Sequence, residues 1–381
     1  MGDNEIILHA SLIEGVGPAT IHDIVTHKPW DIDLQDLYQM SVSELMRLFP
    51  LTLTKAELIA HGLADKGLVQ RELELVQMHG INWMTIYNND YPKLLKNIYA
   101  PPTIIYWQGA APNSGDKNIA VIGSRKINYY GISAIETFVP QLVGLGWTIV
   151  SGGAVGADAA AHRVAVGAKG HTIAILGSGL LNPYPKSNAR LFADIIDSGG
   201  TLLSPFPVTM AAMAGNFPAR NRIIAGLSRG CLVVQASRQS GTRITAQYAL
   251  EQGRELFAIP GSIEDELCAG CHALIQEGAK LVTSVSDILV EFEYEPSRKL
   301  QSENKEEQLS ITLSGQKHKP EHSFKADGPE ATILRCCSKP CTLDELAEST
   351  GLLMSDLYAR LFELELSGAI VQLANGMWQR C

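Results

Sequence analysis

Over residues 118–290, short apolar runs alternate with longer stretches of helical spacing. The runs are IAVIG (119–123), TIVSG (148–152), TIAILG (172–177), TLLS (201–204), CLVVQA (231–236) and LFAIPG (256–261). Glycine-punctuated segments of about 12–25 residues separate them, as a parallel α/β sheet requires. The runs are continuously apolar, which predicts a sheet covered by helices on both faces. Ligands of such sheets bind at the carboxyl ends of the strands, where small and polar residues accumulate in this chain.

The flanks carry other patterns. Residues 1–80 show L-x-x-L spacing without strand-like alternation, predicting an N-terminal helical domain of helix-hairpin-helix or SAM-like type. Within it, GVGPATIHDIV (15–25) looks like half of a helix-hairpin-helix. Residues 81–295 are assigned to the α/β core. Residues 296–328 are polar, charged and poorly periodic, the composition of a flexible linker. In residues 329–381, ATILRCC, TLDELAESTG and SDLYARLFELELSG read as three helices, the last two capped by Thr342 and Ser355. IVQLANGMWQR follows as two strands around Ala374-Asn375-Gly376, completing a winged-helix pattern. Its third helix sets Arg360 against Asp356, Glu363 and Glu365, favouring a protein contact over duplex DNA.

The 381 residues predict two to three domains, and 46% hydrophobic with 19% charged residues is a globular composition. No run of about 18 apolar residues predicts a membrane span. The acidic start MGDNEIILHASLIEG lacks the signature of a secretory signal, so the expected location is the cytoplasm. The net charge of −9 argues against a nucleic-acid partner, yet it is unevenly distributed. Residues 118–250 sum to +7, whereas residues 1–117, 251–290 and 291–381 sum to −6, −5 and −5.

The basic block also holds five turns suited to an anion. Gly123-Ser124-Arg125 follows the first run, and Ser151-Gly152-Gly153 follows the second, opening a helix near Asp158. YPKSN offers Lys186 and Asn188 after the third. After the fourth, NFPARNRIIAGLS brings Phe217, Arg220, Asn221 and Arg222, and after the fifth come Ser240, Gly241 and Thr242. Glycine turns and helix N-termini turn backbone N–H groups toward phosphate. Two arginines in a first helical turn oppose the helix dipole, which points to an anionic partner. A dinucleotide site would need G-x-G-x-x-G, and a P-loop G-x-x-x-x-G-K-[ST]; neither occurs, and no cofactor or resident metal is expected. Arginines and small hydroxyl residues without an acid cluster suit a nucleic-acid backbone better than catalysis.

These motifs, in this order, strongly resemble the DNA-processing protein A (DprA, also called Smf) family. GSR (123–125), SGGAVGADAAAH (151–162), YPKSN (184–188), NFPARNRIIAGLS (216–228), SGTRITAQYALEQGR (240–254) and FAIPG (257–261) carry the likeness. It implies an extended Rossmann-like core that binds single-stranded DNA, forms a homodimer and loads a RecA-type recombinase during natural transformation. It further implies a pocket lined by Arg125, Lys186, Arg220 and Arg222, with Phe217 as a stacking surface for a base. The chain departs from the family at Pro205 and Gln235, where acids are usual, and at Gly270-Cys271-His272, where G-T-N is usual.

An enzyme reading competes: a nucleotide phosphoribohydrolase of the lysine-decarboxylase-like type. Those enzymes carry G-G-x-G-T-x-x-E, whereas Gly241-Thr242-Arg243-Ile244 runs into Thr245, so the acid the chemistry needs is missing and no enzyme is expected. A third reading is a winged-helix transcription regulator with an α/β sensor domain. Seven cysteines, an odd number, suggest free thiols. Cys268-Ala269-Gly270-Cys271-His272 matches a haem c attachment sequence but lies at the family's G-T-N turn, without an export signal beside it.

Overall fold

The computed structural model describes residues 2–112, 117–293, 329–352, 356–358, 360, 361, 364, 369–372 and 377–380. Met1–Arg298 form one compact unit and Lys299–Cys381 a second. The segment read as a linker, 296–328, lies outside the described residues.

The first unit opens with helices α1 (Asp3–Leu12), α2 (Pro18–His27), α3 (Val42–Leu48), α4 (Leu53–Ala64) and α5 (Lys66–Met78). Their starts are set locally: Pro18 sits in the first turn of α2, and Ser41 caps α3 in a reciprocal capping box with Glu44. Then come β1 (Asn82–Thr85), α6 (Lys93–Lys96), β2 (Ile104–Gly109), β3 (Asn118–Ile122), α7 (Tyr129–Gly144), β4 (Thr148–Ser151) and α8 (Ala157–Gly167). The chain continues through β5 (Thr172–Ile175), α9 (Ala189–Asp197), β6 (Thr201–Ser204), α10 (Asn216–Gly226), β7 (Gly230–Val233) and α11 (Gly241–Glu251). It ends with β8 (Glu255–Ala258), α12 (Ala269–Gln276), β9 (Lys280–Leu281) and α13 (Val285–Glu293).

All six apolar runs become strands of one nine-stranded sheet, ordered β1-β2-β6-β5-β4-β3-β7-β8-β9. Strands β3 to β9 pair in parallel; β1 and β2 form a hairpin added antiparallel to β6. Both faces are buried. Ile119 and Val121 pack with Ile135, Phe138 and Ala161 of α7 and α8, whereas Ala120 and Ile122 pack with Ile223, Ile224 and Ala246 of α10 and α11. The alternation is the two-residue period of a strand, so apolar residues at every position demand two helical layers.

Residues 1–80 are helical, as their spacing implies, and they share a core with the sheet. Ile6, Leu8, Ile59 and Val69 cluster with Ile104, Ala174, Leu176 and Leu202. Polar ties fix the junction: the buried Glu72 carboxylate accepts from Val208 N–H at 2.8 Å, and Thr85 Oγ1 donates to Asn4 Oδ1 at 2.8 Å. Burial raises the Glu72 carboxyl above its usual range, opposed by the Val208 hydrogen bond.

In the second unit, α14 (Pro329–Cys336) and α15 (Leu343–Thr350) precede the hairpin of β10 (Ile370–Gln372) and β11 (Trp378–Arg380). Thr342 caps α15 in a box with Glu345, and Gly351 closes it in the left-handed conformation at φ +66°. Helical residues at 356–358, 360, 361 and 364 fall where the third helix was expected. Arg360 pairs with Glu330, so that helix's cation is already engaged. Ser355 and the Ala374-Asn375-Gly376 turn lie outside the described residues.

Candidate nucleic-acid interface

Strand order creates the site. From β3 the chain moves outward through β4, β5 and β6, then returns to place β7 on the opposite side of β3. The turns after β3 and β7 therefore diverge and leave a crevice between them. A cleft of about 360 Å³ opens there, lined among others by Gly123, Ser124, Arg125, Phe217, Asn221 and Ser240. Arg220, Gly241 and Thr242 complete the share of its wall that the sequence singled out. The volume is at the small end of ligand clefts, about 300–1,000 Å³.

The β3 turn is braced from beneath. Ser124 N–H donates to Gln235 O at 2.8 Å, Ala157 N–H donates to Ser124 O at 3.0 Å, and Lys126 N–H donates to Ser124 Oγ at 3.0 Å. A side chain at Gly123 would meet Ala157 Cβ at 2.7 Å, so only glycine allows this approach. The turn thus projects Arg125 and Lys126, both exposed, over the cleft. Arg125 lies over the Phe217 ring, 5.8 Å from its centroid. Phe217 rests on the backbone of Gly177, where a Cβ would approach its ring to 2.8 Å. Tyr184 flanks Phe217 at 5.8 Å between centroids, making a two-ring wall beside exposed cations.

Across the cleft, α11 begins at Ser240. Its N-cap side chain makes no cap hydrogen bond, and the buried Ser240 Oγ has no partner among the described residues. The first turn of α11 contains no acid. An uncompensated helix N-terminus facing two cations is a favourable place for an anion.

The remaining expected residues sit elsewhere. Ser151, Gly152 and Gly153 are buried, and Ser151 Oγ donates to Val121 O at 2.7 Å. Asn188 is buried and donates to Gly153 O at 3.0 Å. That turn supports the cleft rather than facing it. Lys186 is exposed on the segment that carries Tyr184 but does not line the cleft. Arg222 points away: its Nη1 donates to Tyr99 O at 2.5 Å and to Ala100 O, holding the chain ahead of β2.

Arg220 is a buried cation, 4% exposed. Its Nη1 donates to Gly152 O and, at 2.7 Å, to Ile175 O, tying the ends of β4 and β5 together. Its Nε has no partner among the described residues. Burial lowers the Arg220 pKa, while the carboxylate of Asp158 favours its charge. Burial raises the Asp158 carboxyl, opposed by Arg220 and by the Ala154 N–H donated to it at 3.2 Å. His162 lies beneath. Thr172 Oγ1 donates to Ile149 O, so His162 Nδ1 carries the proton shared with Thr172 at 2.8 Å. Burial, reinforced by Arg220, pushes the imidazole pKa down to about 3.

The sequence reading missed Lys126, Asp158 and Tyr184 as contributors to this region. Lys126 adjoins the expected Arg125 and was open to the same argument. The buried role of Asp158 had no signal beyond its place at a helix start.

The family described as DNA recombination-mediator protein A matches residues 82–293, and its DprA winged helix domain matches residues 318–376. The chain belongs to the DprA family. Protein Smf of Synechocystis is 31% identical over 97% of this chain and 97% of its own. DNA processing protein DprA of Streptococcus pneumoniae is 45% identical over 55% of this chain and 74% of its own. The X-ray structure of that species' DprA superposes with a TM-score of 0.65 at 34% identity, covering 77% of this chain and 100% of the other. The Helicobacter pylori protein, solved for its single-stranded DNA binding mode, gives a TM-score of 0.50 at 27% identity over 55% and 95% of the two chains.

Gln235 sits in a side-chain network beneath the β3 turn. Its Nε2 donates to Asn128 Oδ1 at 2.9 Å and to Asp265 Oδ2 at 3.3 Å, and Asn128 N–H donates to its Oε1 at 3.2 Å. An amide can donate to Asp265 where a glutamate would repel it. The amide therefore suits this loop, and the backbone of Gln235 braces Ser124. At the Cys268/Cys271 turn, both thiols are buried: Cys271 Sγ faces Val233 O at 3.8 Å and Cys268 Sγ faces Asp265 at 3.6 Å.

Proposed function

We propose that this chain binds single-stranded DNA without strong sequence preference and loads a RecA-type recombinase on it, in DNA uptake during natural transformation and in recombination. The observation that carries the reading is the cleft, where Arg125 and Lys126, the Phe217 ring with Tyr184 packed beside it, and the N-terminus of α11 come together. Cations and an open helix start hold a backbone phosphate, and an aromatic face accepts any base. Unpaired bases reach such a face; stacked duplex bases do not. The Helicobacter pylori relative, solved for its single-stranded DNA binding mode, supports the same assignment. In this reading the protein acts as a non-catalytic homodimer in the cytoplasm. Among the described residues, no helix is long and apolar enough to cross a membrane.

Photocrosslinking with a bromodeoxyuridine-containing single strand tests the location. The expected adducts map to Phe217, Tyr184 or the 123–126 turn. Adducts confined to residues 329–381 would overturn the assignment. Loading is read by recombinase-driven strand exchange on DNA coated with single-strand-binding protein, which the chain should accelerate. Release of free base from a nucleoside monophosphate, followed by chromatography, would instead revive the phosphoribohydrolase reading.

A further inference from the structure

The second unit holds a thiol pair that DNA binding does not use. Cys337 follows α14 directly, and Cys341 follows the exposed turn Ser338-Lys339-Pro340. Their sulfurs are 3.6 Å apart. The backbone holds both: Arg380 N–H donates to Cys337 O at 2.7 Å, and Cys341 exchanges N–H···O bonds with Trp378 at 3.0 and 2.8 Å. Cys341 is 7% exposed and Cys337 fully buried, within a core that includes Ile333, Leu346, Leu357 and Trp378. Among the described residues, no other two thiols are in hydrogen-bonding contact; Cys268 and Cys271 face Asp265 and Val233 instead.

We propose that Cys337 and Cys341 are a reversible dithiol–disulfide site, oxidised by low-molecular-weight disulfides such as oxidised glutathione. The sulfurs, 3.6 Å apart, need only approach to about 2.05 Å to close a bond. The thiols are not equivalent. Burial pushes Cys337 up to about 12. Burial raises Cys341 as well, opposed by its contact with Cys337. Cys341 is the more exposed of the two, so it is the sulfur that meets an incoming disulfide first and attacks it. Its thiolate displaces one glutathione thiolate from the disulfide and forms a mixed disulfide. The Cys337 thiolate then attacks the Cys341 sulfur and expels the second glutathione. Two protein thiols lose two electrons and two protons; one glutathione disulfide gains them as two thiols. The product ties the end of α14 to the segment paired with β11.

The test equilibrates the full-length chain, without oxygen, in glutathione buffers of rising oxidised fraction. Acid quenching, maleimide blocking and peptide mapping follow. The expected result is loss of two of the seven blockable thiols, with Cys337 joined to Cys341 while Cys231 and Cys271 stay alkylated. Cys337→Ser should accumulate glutathione on Cys341, whereas Cys341→Ser should leave Cys337 unmodified. A Cys336→Ser background removes ambiguity from the neighbouring thiol, and the thiol count of the unaltered protein stands if that variant misfolds. Both thiols remaining alkylated in pure oxidised glutathione would overturn the proposal, as would pairing through Cys336.

Discussion

The guanidinium of Arg125 lies over the ring of Phe217, 5.8 Å from its centroid. One side chain comes from the turn after β3 and the other from α10, so the contact spans the cleft wall. It joins the cation proposed to hold a phosphate to the ring proposed to stack on a base.

Arg125→Ala is expected to weaken single-strand binding and flatten the log–log salt slope by about 0.7, the share of one phosphate. Phe217→Ala should cost about 1–3 kcal/mol of affinity with little change in slope. Fluorescence anisotropy at several salt concentrations separates the two. Because the side chains touch, the double variant should lose less than the sum of the singles.

Arg220 belongs to the scaffold. Arg220→Ala leaves Asp158 and the carbonyls of Gly152 and Ile175 without their cation, and should cost about 3–5 kcal/mol of stability. Thermal denaturation should show a large fall in Tm for Arg220→Ala and little change for the exposed Arg125→Ala. Equal falls for both would contradict this division.

Gln235→Glu sets a carboxylate against Asp265, which now accepts from the amide at 3.3 Å. The variant should melt below the parent at neutral pH. Its deficit should shrink toward about pH 4, where carboxyl groups begin to protonate. Calorimetry across that range checks the sign.

His162 is neutral in the fold, with its pKa pushed from the ordinary 6.5 down to about 3 by burial. The unfolded chain therefore binds the proton more readily. Stability from this residue is full above about pH 6.5 and is lost progressively as pH falls toward 3. His162→Asn should make the acid side of the stability profile shallower across that window. Denaturant titrations at stepped pH provide the measurement.

The strands and turns of the core were legible because continuous apolar runs and glycine punctuation are local signals. The hairpin β1–β2 and the two-residue β9 were not; their pairing is decided by contact with an existing sheet edge. At the site, Arg125, Phe217 and Ser240 were legible from their turns. Arg220 and Arg222 looked alike, yet two residues along a helix rotate a side chain by about 200°. One cation therefore enters the core while the other leaves for Tyr99 and Ala100. Net charge misled in the same way as an average: the −9 of the whole chain conceals the +7 block that builds the cleft.

The most direct test is a paired titration of the full-length protein with a single-stranded oligonucleotide and the duplex of the same length, across a salt series. The account predicts tighter binding to the single strand and a log–log slope of about −3 to −4, for roughly five neutralised phosphates, weakened and flattened in Arg125→Ala. Equal affinity for both forms, or binding indifferent to salt and to Arg125→Ala, would contradict it.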